Sequence, residues 1–202
     1  MQTDVRRRIN ESSTVFFTAQ DIKDALNDGL EEISDATEWY ERQATIDWTV
    51  GEIYTDLSTV LPDTILSILR CWNTTTQRWL DPTDPWEMDY HSYRQWELTT
   101  GQPQKYFIRG LWHLGIWPAP DSAQKIRVVY TAIPPAMSAD ADDPDFPKEF
   151  HFGLIDYALS DLYSQERETT KAFDRWTRYL TTEERLRQDV NHRQSLARLN
   201  IL

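Results

Sequence analysis

Residues 18–51 read TAQDIKDALNDGLEEISDATEWYERQATIDWTVG. In the first part of this stretch, apolar residues recur every three or four positions from Ile22 to Tyr40, which is typical of one buried face on an α-helix. From Ala44 to Val50 they recur at every second position, which is typical of a half-buried strand. The change of period predicts a helix over about residues 18–43, followed directly by a β segment.

The beginning of this helix carries a capping pattern. Thr18 is followed three positions later by Asp21, so a hydroxyl and a carboxylate stand where they satisfy free backbone N–H groups of the first turn. Gly29 lies on the apolar stripe, and its missing side chain predicts that another backbone packs close to the helix there. Residues 1–17 start with a charge cluster and lack the helical period, so we predict a flexible N-terminal arm.

Strand patterns dominate residues 44–146, which we predict to be a Trp-rich β insertion with linkers. Besides the first strand, they predict strands at Ile65–Trp72, Lys105–Arg109, Leu111–Trp117 and Gln124–Ala132, and a short helix within Asp81–Tyr93. Two helical patterns follow over residues 147–190. Since neither end can bury its apolar stripe alone, residues 18–43 and 147–190 should pack together. The predicted fold is α+β: a small helix bundle formed by N- and C-terminal helices, with an inserted, mostly antiparallel β domain.

Composition and charge restrict the function. The chain has 202 residues and a net charge of −12. Residues 21–164 hold 25 acidic and 10 basic side chains, whereas residues 165–202 hold 6 acidic and 8 basic ones. An acidic body argues against a protein that wraps nucleic acid, which needs a concentrated positive face. It is compatible with a surface that DNA passes without binding, and equally with ordinary solvation.

The sequence contains no recognisable catalytic or metal-binding pattern. The single cysteine, Cys71, stands in an apolar run and is expected to be a small buried hydrophobe. The four histidines lie far apart and form no ligand spacing. The acidic run Asp140–Asp145 lacks the glycine and the distal glutamate of a calcium loop, so a solvated turn is expected. No Gly-rich phosphate loop, nucleophile elbow or membrane-spanning stretch occurs. We therefore predict a non-enzyme with no catalytic, cofactor-binding or metal-binding residues, no cofactor and no membrane partner.

Tryptophan is the unusual part of the composition, since eight of the nine lie between Trp39 and Trp117. They are explained by filling of a core that is poor in large aliphatics, by a subunit interface, or by a sugar-stacking surface. Between the two functional explanations we favour the interface, with Trp48, Trp112 and Trp117 as its candidates. The alternative function is a carbohydrate-binding or tail-tip module that uses exposed tryptophans.

Several short motifs occur in a characteristic order along residues 18–180. They are Asp21–Asn27, Leu61-Pro62-Asp63 before Ile65–Arg70, Gly101–Phe107, Gly115–Pro120, Val128-Val129-Tyr130, Phe146–His151 and Leu154–Leu159. In this order and spacing the chain resembles the bacteriophage head–tail connector, or adaptor, family, which forms a ring beneath the portal.

The resemblance implies a structural virion protein at the head–tail junction, made and assembled in the host bacterial cytoplasm. Its expected partners are the portal protein, tail nozzle or tail-tube proteins, and further copies of itself in a ring, commonly of twelve. The ring would continue the channel through which DNA is ejected, without specific DNA binding. The segment that docks on the portal would be residues 191–202, with Arg193, Leu196, Arg198, Leu199, Ile201 and Leu202 as the contact residues.

Overall fold

The computed structural model describes residues 1–9, 16–92, 95–139, 142 and 144–199. It confirms the predicted α+β class, with helices at the two ends of the chain and a β region between them. The chain divides into two compact units. Unit 1 comprises Met1–Tyr40 and Ile133–Leu202, and unit 2 comprises Glu41–Ala132.

The helices, in chain order, are α1 (Gln2–Ile9), α2 (Ala19–Thr37), α3 (Leu57–Val60), α4 (Pro85–Ser92), α5 (His151–Gln165) and α6 (Thr169–Leu199). Single 3-10 turns cover Gln95–Leu98 and Lys148–Phe150. Within the described ranges, no helix has both the length and the apolar composition needed to cross a bilayer.

The predicted capping pattern of α2 is confirmed. The Asp21 backbone N–H donates to the Thr18 hydroxyl at 3.1 Å, and the Thr18 N–H donates to the Asp21 carboxylate at 2.7 Å. Hydrogen bonds from the Thr18 side chain and backbone lower the pKa of Asp21. This reciprocal pair fixes the first turn of the helix.

Unit 1 has one continuous apolar core. The buried stripe of α2 consists of Ile22, Ala25, Leu26, Leu30 and Ile33, and that of α5 consists of Leu154, Ile155, Ala158, Leu159 and Leu162. α2 and α6 both pack against α5. Gly29 lets α5 pack close to α2, but the neighbour is not the backbone that the sequence predicted. A Cβ atom there would lie 2.8 Å from the Tyr157 ring, so the close neighbour is an aromatic side chain rather than a backbone.

The ends of the chain differ from the prediction in two places. Residues 1–17 were predicted to be a flexible arm, but Gln2–Ile9 form a helix that buries Val5 completely in the core of unit 1. One buried valine among charged residues makes no visible period, so only tertiary packing reveals this helix. At the other end, residues 191–199 continue α6 instead of forming a separate tail.

The end of α2 also differs. The helix was predicted to reach residue 43, but it stops at Thr37, and Glu38 takes a left-handed conformation with its N–H bonded to the Ser34 carbonyl. Trp39 and Tyr40 follow the helix and extend its apolar spacing in the sequence. Their rings pack against each other outside the helix, with centroids 5.2 Å apart.

Unit 2 contains nine strands among the described residues. They are β1 (Glu41–Trp48), β2 (Tyr54–Asp56), β3 (Ile65–Asn73), β4 (Arg78–Pro82), β5 (Thr100–Gly101), β6 (Lys105–Arg109), β7 (His113–Trp117), β8 (Ala119–Pro120) and β9 (Gln124–Ala132). Seven of them form one sheet in the order β1-β9-β3-β4-β6-β7-β2, while β5 and β8 pair separately. Only the β4–β6 and β5–β8 pairs are parallel.

The β insertion is shorter than the predicted range 44–146. Unit 2 begins at Glu41, because β1 pairs with β9 from that residue onward. It ends at Ala132, and the following segment belongs to unit 1. The Asn27 side chain of α2 holds this segment: its amide donates to the Met137 carbonyl at 3.2 Å, and its carbonyl accepts from the Met137 N–H at 2.9 Å.

Candidate functional site

The polar residues singled out by the sequence have structural roles. Among the described residues, no group of three His, Cys, Asp or Glu side chains could hold a metal ion. The His151 ring lies 2.9 Å from the Phe146 carbonyl and stacks on the Phe146 ring. Of the acidic run, Asp142 accepts hydrogen bonds from the backbone of Ser138 and Ala139, which lower its pKa. Asp140, Ala141 and Asp143 lie outside the described residues.

Cys71 is fully buried in β3, and this burial raises the pKa of its thiol. A thiol without access to solvent or to its thiolate form does not react with electrophiles. We predict that a disulfide reagent leaves Cys71 unmodified in the native protein and modifies it stoichiometrically in urea. Colorimetric titration of the released thiolate measures both rates, and rapid labelling of native protein would contradict this burial.

Two surfaces combine exposed aromatic rings with charged neighbours, and the first is a groove between α5 and α6 in unit 1. The groove has a volume of about 450 Å³ and is lined by Tyr157, Asp161, Ser164, Ala172, Phe173 and Trp176, among others. Phe173 is 71% exposed, and Trp176 is also exposed to solvent. We call this the α5–α6 groove. Its exposed aromatic walls are unusual for a solvated helix face, where large apolar side chains cost free energy.

One carboxylate, Asp161, lines this groove, and three more on α2 act on its lining residue Tyr157. Burial raises the pKa of Tyr157, and the nearby charges of Glu32, Asp28, Asp161 and Glu31 raise it further. Among the described residues, none of these four carboxylates forms an ion pair. The α5–α6 groove is therefore lined by aromatic rings and carries negative charge near Tyr157.

A buried hydroxyl lies directly behind the groove. The Tyr179 ring packs against Tyr157 and Trp176, with centroids 5.1 Å from each. Its hydroxyl is buried without a hydrogen-bond partner among the described residues, and burial raises its pKa. The three rings pack on one another, and two of them, Tyr157 and Trp176, line the groove.

The second surface is the solvent side of the sheet in unit 2, where Trp72 of β3 pairs with Trp79 of β4. Their rings meet edge to face at 4.8 Å, and the Arg70 guanidinium lies over the Trp79 ring at 5.3 Å. Arg127 of β9 is the cross-strand partner of Trp72 on its other side. Because cross-strand partners share a face, these four side chains form one patch, which we call the Trp72–Trp79 face.

The charge of the Trp72–Trp79 face is opposite to that of the groove. The Arg70 guanidinium lies 3.7 Å from the Glu41 carboxylate. Arg127 is exposed and takes no part in the Arg70–Glu41 or the Lys125–Asp47 ion pair. Trp79 is 44% exposed. The face therefore presents an indole flanked by two guanidinium groups, a combination that is common in protein–protein contacts.

Comparison with known proteins decides the class of protein to which these surfaces belong. The family model described as SU10 adaptor protein matches residues 1–200. The chain belongs to the SU10 adaptor protein family. This is a phage head–tail adaptor family, which confirms the resemblance read from the sequence motifs. No curated protein matches the chain.

Membership in the SU10 adaptor family indicates what kind of role the two surfaces have. A structural adaptor of a virion works through protein contacts, so the family favours binding surfaces over a catalytic site. It also favours the adaptor function over the carbohydrate-binding alternative. The α5–α6 groove and the Trp72–Trp79 face were not identified from the sequence, since the groove needs the packing of two helices and the face needs the strand register that brings Arg127 next to Trp72.

The structure places the predicted interface tryptophans apart from each other. Trp48 is only 4% exposed, and its indole N–H donates to the Glu52 carbonyl at 2.8 Å, so it is a core residue of unit 2. Trp112 lies in the exposed turn between β6 and β7, whereas Trp117 ends β7 and donates to the Trp96 carbonyl at 3.0 Å. An interface role for them stays a prediction, which the burial of Trp48 does not favour.

The residues predicted to dock on the portal lie at the end of α6. Arg193 is exposed and pairs with Asp189 at 2.7 Å. Leu196, Arg198 and Leu199 belong to the helix, but only their backbone is described. Ile201 and Leu202 lie outside the described residues. In this SU10 adaptor family member, the docking role of the segment stays a prediction.

Proposed function

We propose that this member of the SU10 adaptor family joins the capsid to the tail as one subunit of a ring beneath the portal. The observation that carries the proposal is the family match over residues 1–200, which covers both compact units. The expected partners are the portal on one side and tail nozzle or tail-tube proteins on the other. A ring of twelve copies would continue the DNA channel of the portal.

The proposed docking element is the last part of α6 with the residues after it. Residues 191–202 contain Arg193 and Arg198, four apolar side chains of Leu or Ile, and no carboxylate side chain. The rest of the chain is strongly acidic, so this segment differs from it in charge and hydropathy. A basic, apolar segment of this kind gains free energy when a partner covers its leucines and pairs its arginines.

The proposed channel requires that DNA passes without binding. Residues 21–164 carry 25 acidic and 10 basic side chains. A wall of this composition offers few cations to neutralise phosphates, so it releases few counterions and gives DNA little affinity. The acidic body thus supports a channel that conducts DNA and does not hold it.

Deleting residues 191–202 is expected to weaken portal binding at least tenfold, because the segment supplies the contact residues of the proposed interface. Co-sedimentation of the full chain and the deletion variant with purified portal measures this. Arg178→Ala together with Arg185→Ala, on exposed positions earlier in α6, is the matched control and should bind as the wild type does. Unchanged binding of the deletion variant would refute the docking role, and negative-stain images without stacked rings on the portal would refute the adaptor ring.

A further inference from the structure

We propose that the Trp72–Trp79 face of one copy docks onto the α5–α6 groove of a second copy, so that one repeated contact holds the ring together. This inference rests on the proposed function, which requires a ring but does not say which surfaces close it. The occupant of the groove is a second copy of this chain, whose sheet face matches the groove in size and charge.

The two surfaces match in size and apolar character. Trp79 is 44% exposed on the sheet, and the groove of about 450 Å³ has room for an indole between its aromatic side chains. Insertion of Trp79 would cover Phe173 and Trp176, which are exposed in the isolated chain. Tryptophan, tyrosine and arginine are the residues that most often dominate the free energy of protein contacts, and they tend to meet their like across the interface.

The two surfaces also match in charge. Asp161 lines the groove, and Asp28, Glu31 and Glu32 act on the lining residue Tyr157; none of the four forms an ion pair among the described residues. Arg127 and Arg70 flank the tryptophans of the sheet face, and Arg70 also lies 3.7 Å from Glu41. Docking would place these cations next to those carboxylates, which fixes the orientation of the pair and excludes like surfaces from each other.

The symmetry follows from the chemistry. The groove belongs to unit 1 and the sheet face to unit 2, so the two copies that meet in one contact use different surfaces. Such a contact is heterologous, and a heterologous contact builds a ring when its rotation closes and an open filament when it does not. Each copy then uses its face on one neighbour and its groove on the other, which is the arrangement that a ring requires.

The test uses two full-length variants with reversed charge, Arg127→Glu on the sheet face and Glu32→Arg, whose side chain acts on Tyr157 of the groove. Both positions are exposed, so the fold should persist, and circular dichroism verifies it. Rings on purified portal are counted by negative-stain imaging. Each variant alone places like charges in every contact, and we expect at least tenfold fewer rings. An equimolar mixture can alternate the two variants so that every contact pairs opposite charges, and we expect it to restore ring formation.

Lys148→Glu and Glu149→Arg, which make the same charge changes on the exposed turn before α5, are the controls and should form rings as the wild type does. If either charge-reversed variant alone forms rings normally, or if the mixture fails to form them, the inference is wrong while the proposed ring stands. If the wild type forms no ring on the portal, the proposed function and this inference both fall. Trp79→Ala provides a charge-independent check and should also reduce ring formation at least tenfold.

Discussion

Replacing Gly115 with alanine is expected to destabilise unit 2 by about 3 kcal/mol, at the upper end of the usual cost of overpacking a core. An added Cβ atom would lie 2.3 Å from two carbon atoms of the Phe107 ring. The ring is not a flexible chain end, because it also packs edge to face on Tyr54 and Trp96 at 5.7 and 5.5 Å. The clash therefore cannot be relieved by a small side-chain movement.

The position of Gly115 in the sheet explains why the Phe107 ring lies over it. Gly115 of β7 is the cross-strand partner of Phe107 on one side and of Tyr54 on the other. Strands lie ~4.8 Å apart, so two residues separated by one strand meet only if the strand between them has no side chain. The rings of Phe107 and Tyr54 touch each other over the glycine. Any side chain at position 115 separates them and opens the small core formed with Trp96 and Met88.

Urea unfolding followed by tryptophan fluorescence measures this loss, because Trp96 reports on the affected core. A double-mutant cycle with Phe107→Leu provides the control. Since leucine lacks the ring atoms that come closest to position 115, Gly115→Ala should cost at least 1 kcal/mol less in that background than in the wild type (roughly the coupling of residues in contact). Equal costs in both backgrounds would show that the ring is not the cause.

The sequence predicted the order of the elements because local periods encode it. The apolar stripe of α2 and the alternation in β1 each depend on residues a few positions apart, and both elements were found near the predicted places. Their boundaries depend on other causes. α2 ends at the left-handed Glu38, a position where nothing in the sequence demands an αL residue, and the missed α1 depends on burial of Val5 by distant helices.

The two binding surfaces could not be predicted for a related reason. The Trp72–Trp79 face needs the register of β3 with β4 and β9, and the latter pairing contains two irregularities that shift it. The α5–α6 groove needs Phe173 and Trp176 to stay exposed although they fit an apolar helical stripe. The sequence therefore showed that aromatic residues are abundant, but only the fold separates Trp48 in the core from Trp79 on the surface.

Replacing Asp156 with alanine is expected to destabilise unit 1 by about 3 kcal/mol, the lower end of the cost of breaking a buried ion pair. Asp156 of α5 is buried, accepts a hydrogen bond from Arg175 of α6 at 2.9 Å and lies 3.7 Å from Arg8 of α1. It is the only anion that the described ion pairs give to either arginine. Its loss would leave two partly buried guanidinium groups facing each other without a counter-charge. We expect a cost at the lower end because the side chains of Arg8 and Arg175 keep some contact with water.

Urea unfolding at neutral pH measures the effect, and Asp161→Ala is the matched control. Asp161 lies on the same helix but forms no ion pair among the described residues, so its loss should change stability by less than about 0.5 kcal/mol. The double variant Asp156→Leu with Arg175→Met tests the cause. It removes the buried charge together with its main partner, and apolar replacement of a buried pair is often neutral or stabilising. It should therefore be more stable than Asp156→Ala. If the double variant were less stable, the cost would come from lost packing between α5 and α6 and not from an unpaired arginine.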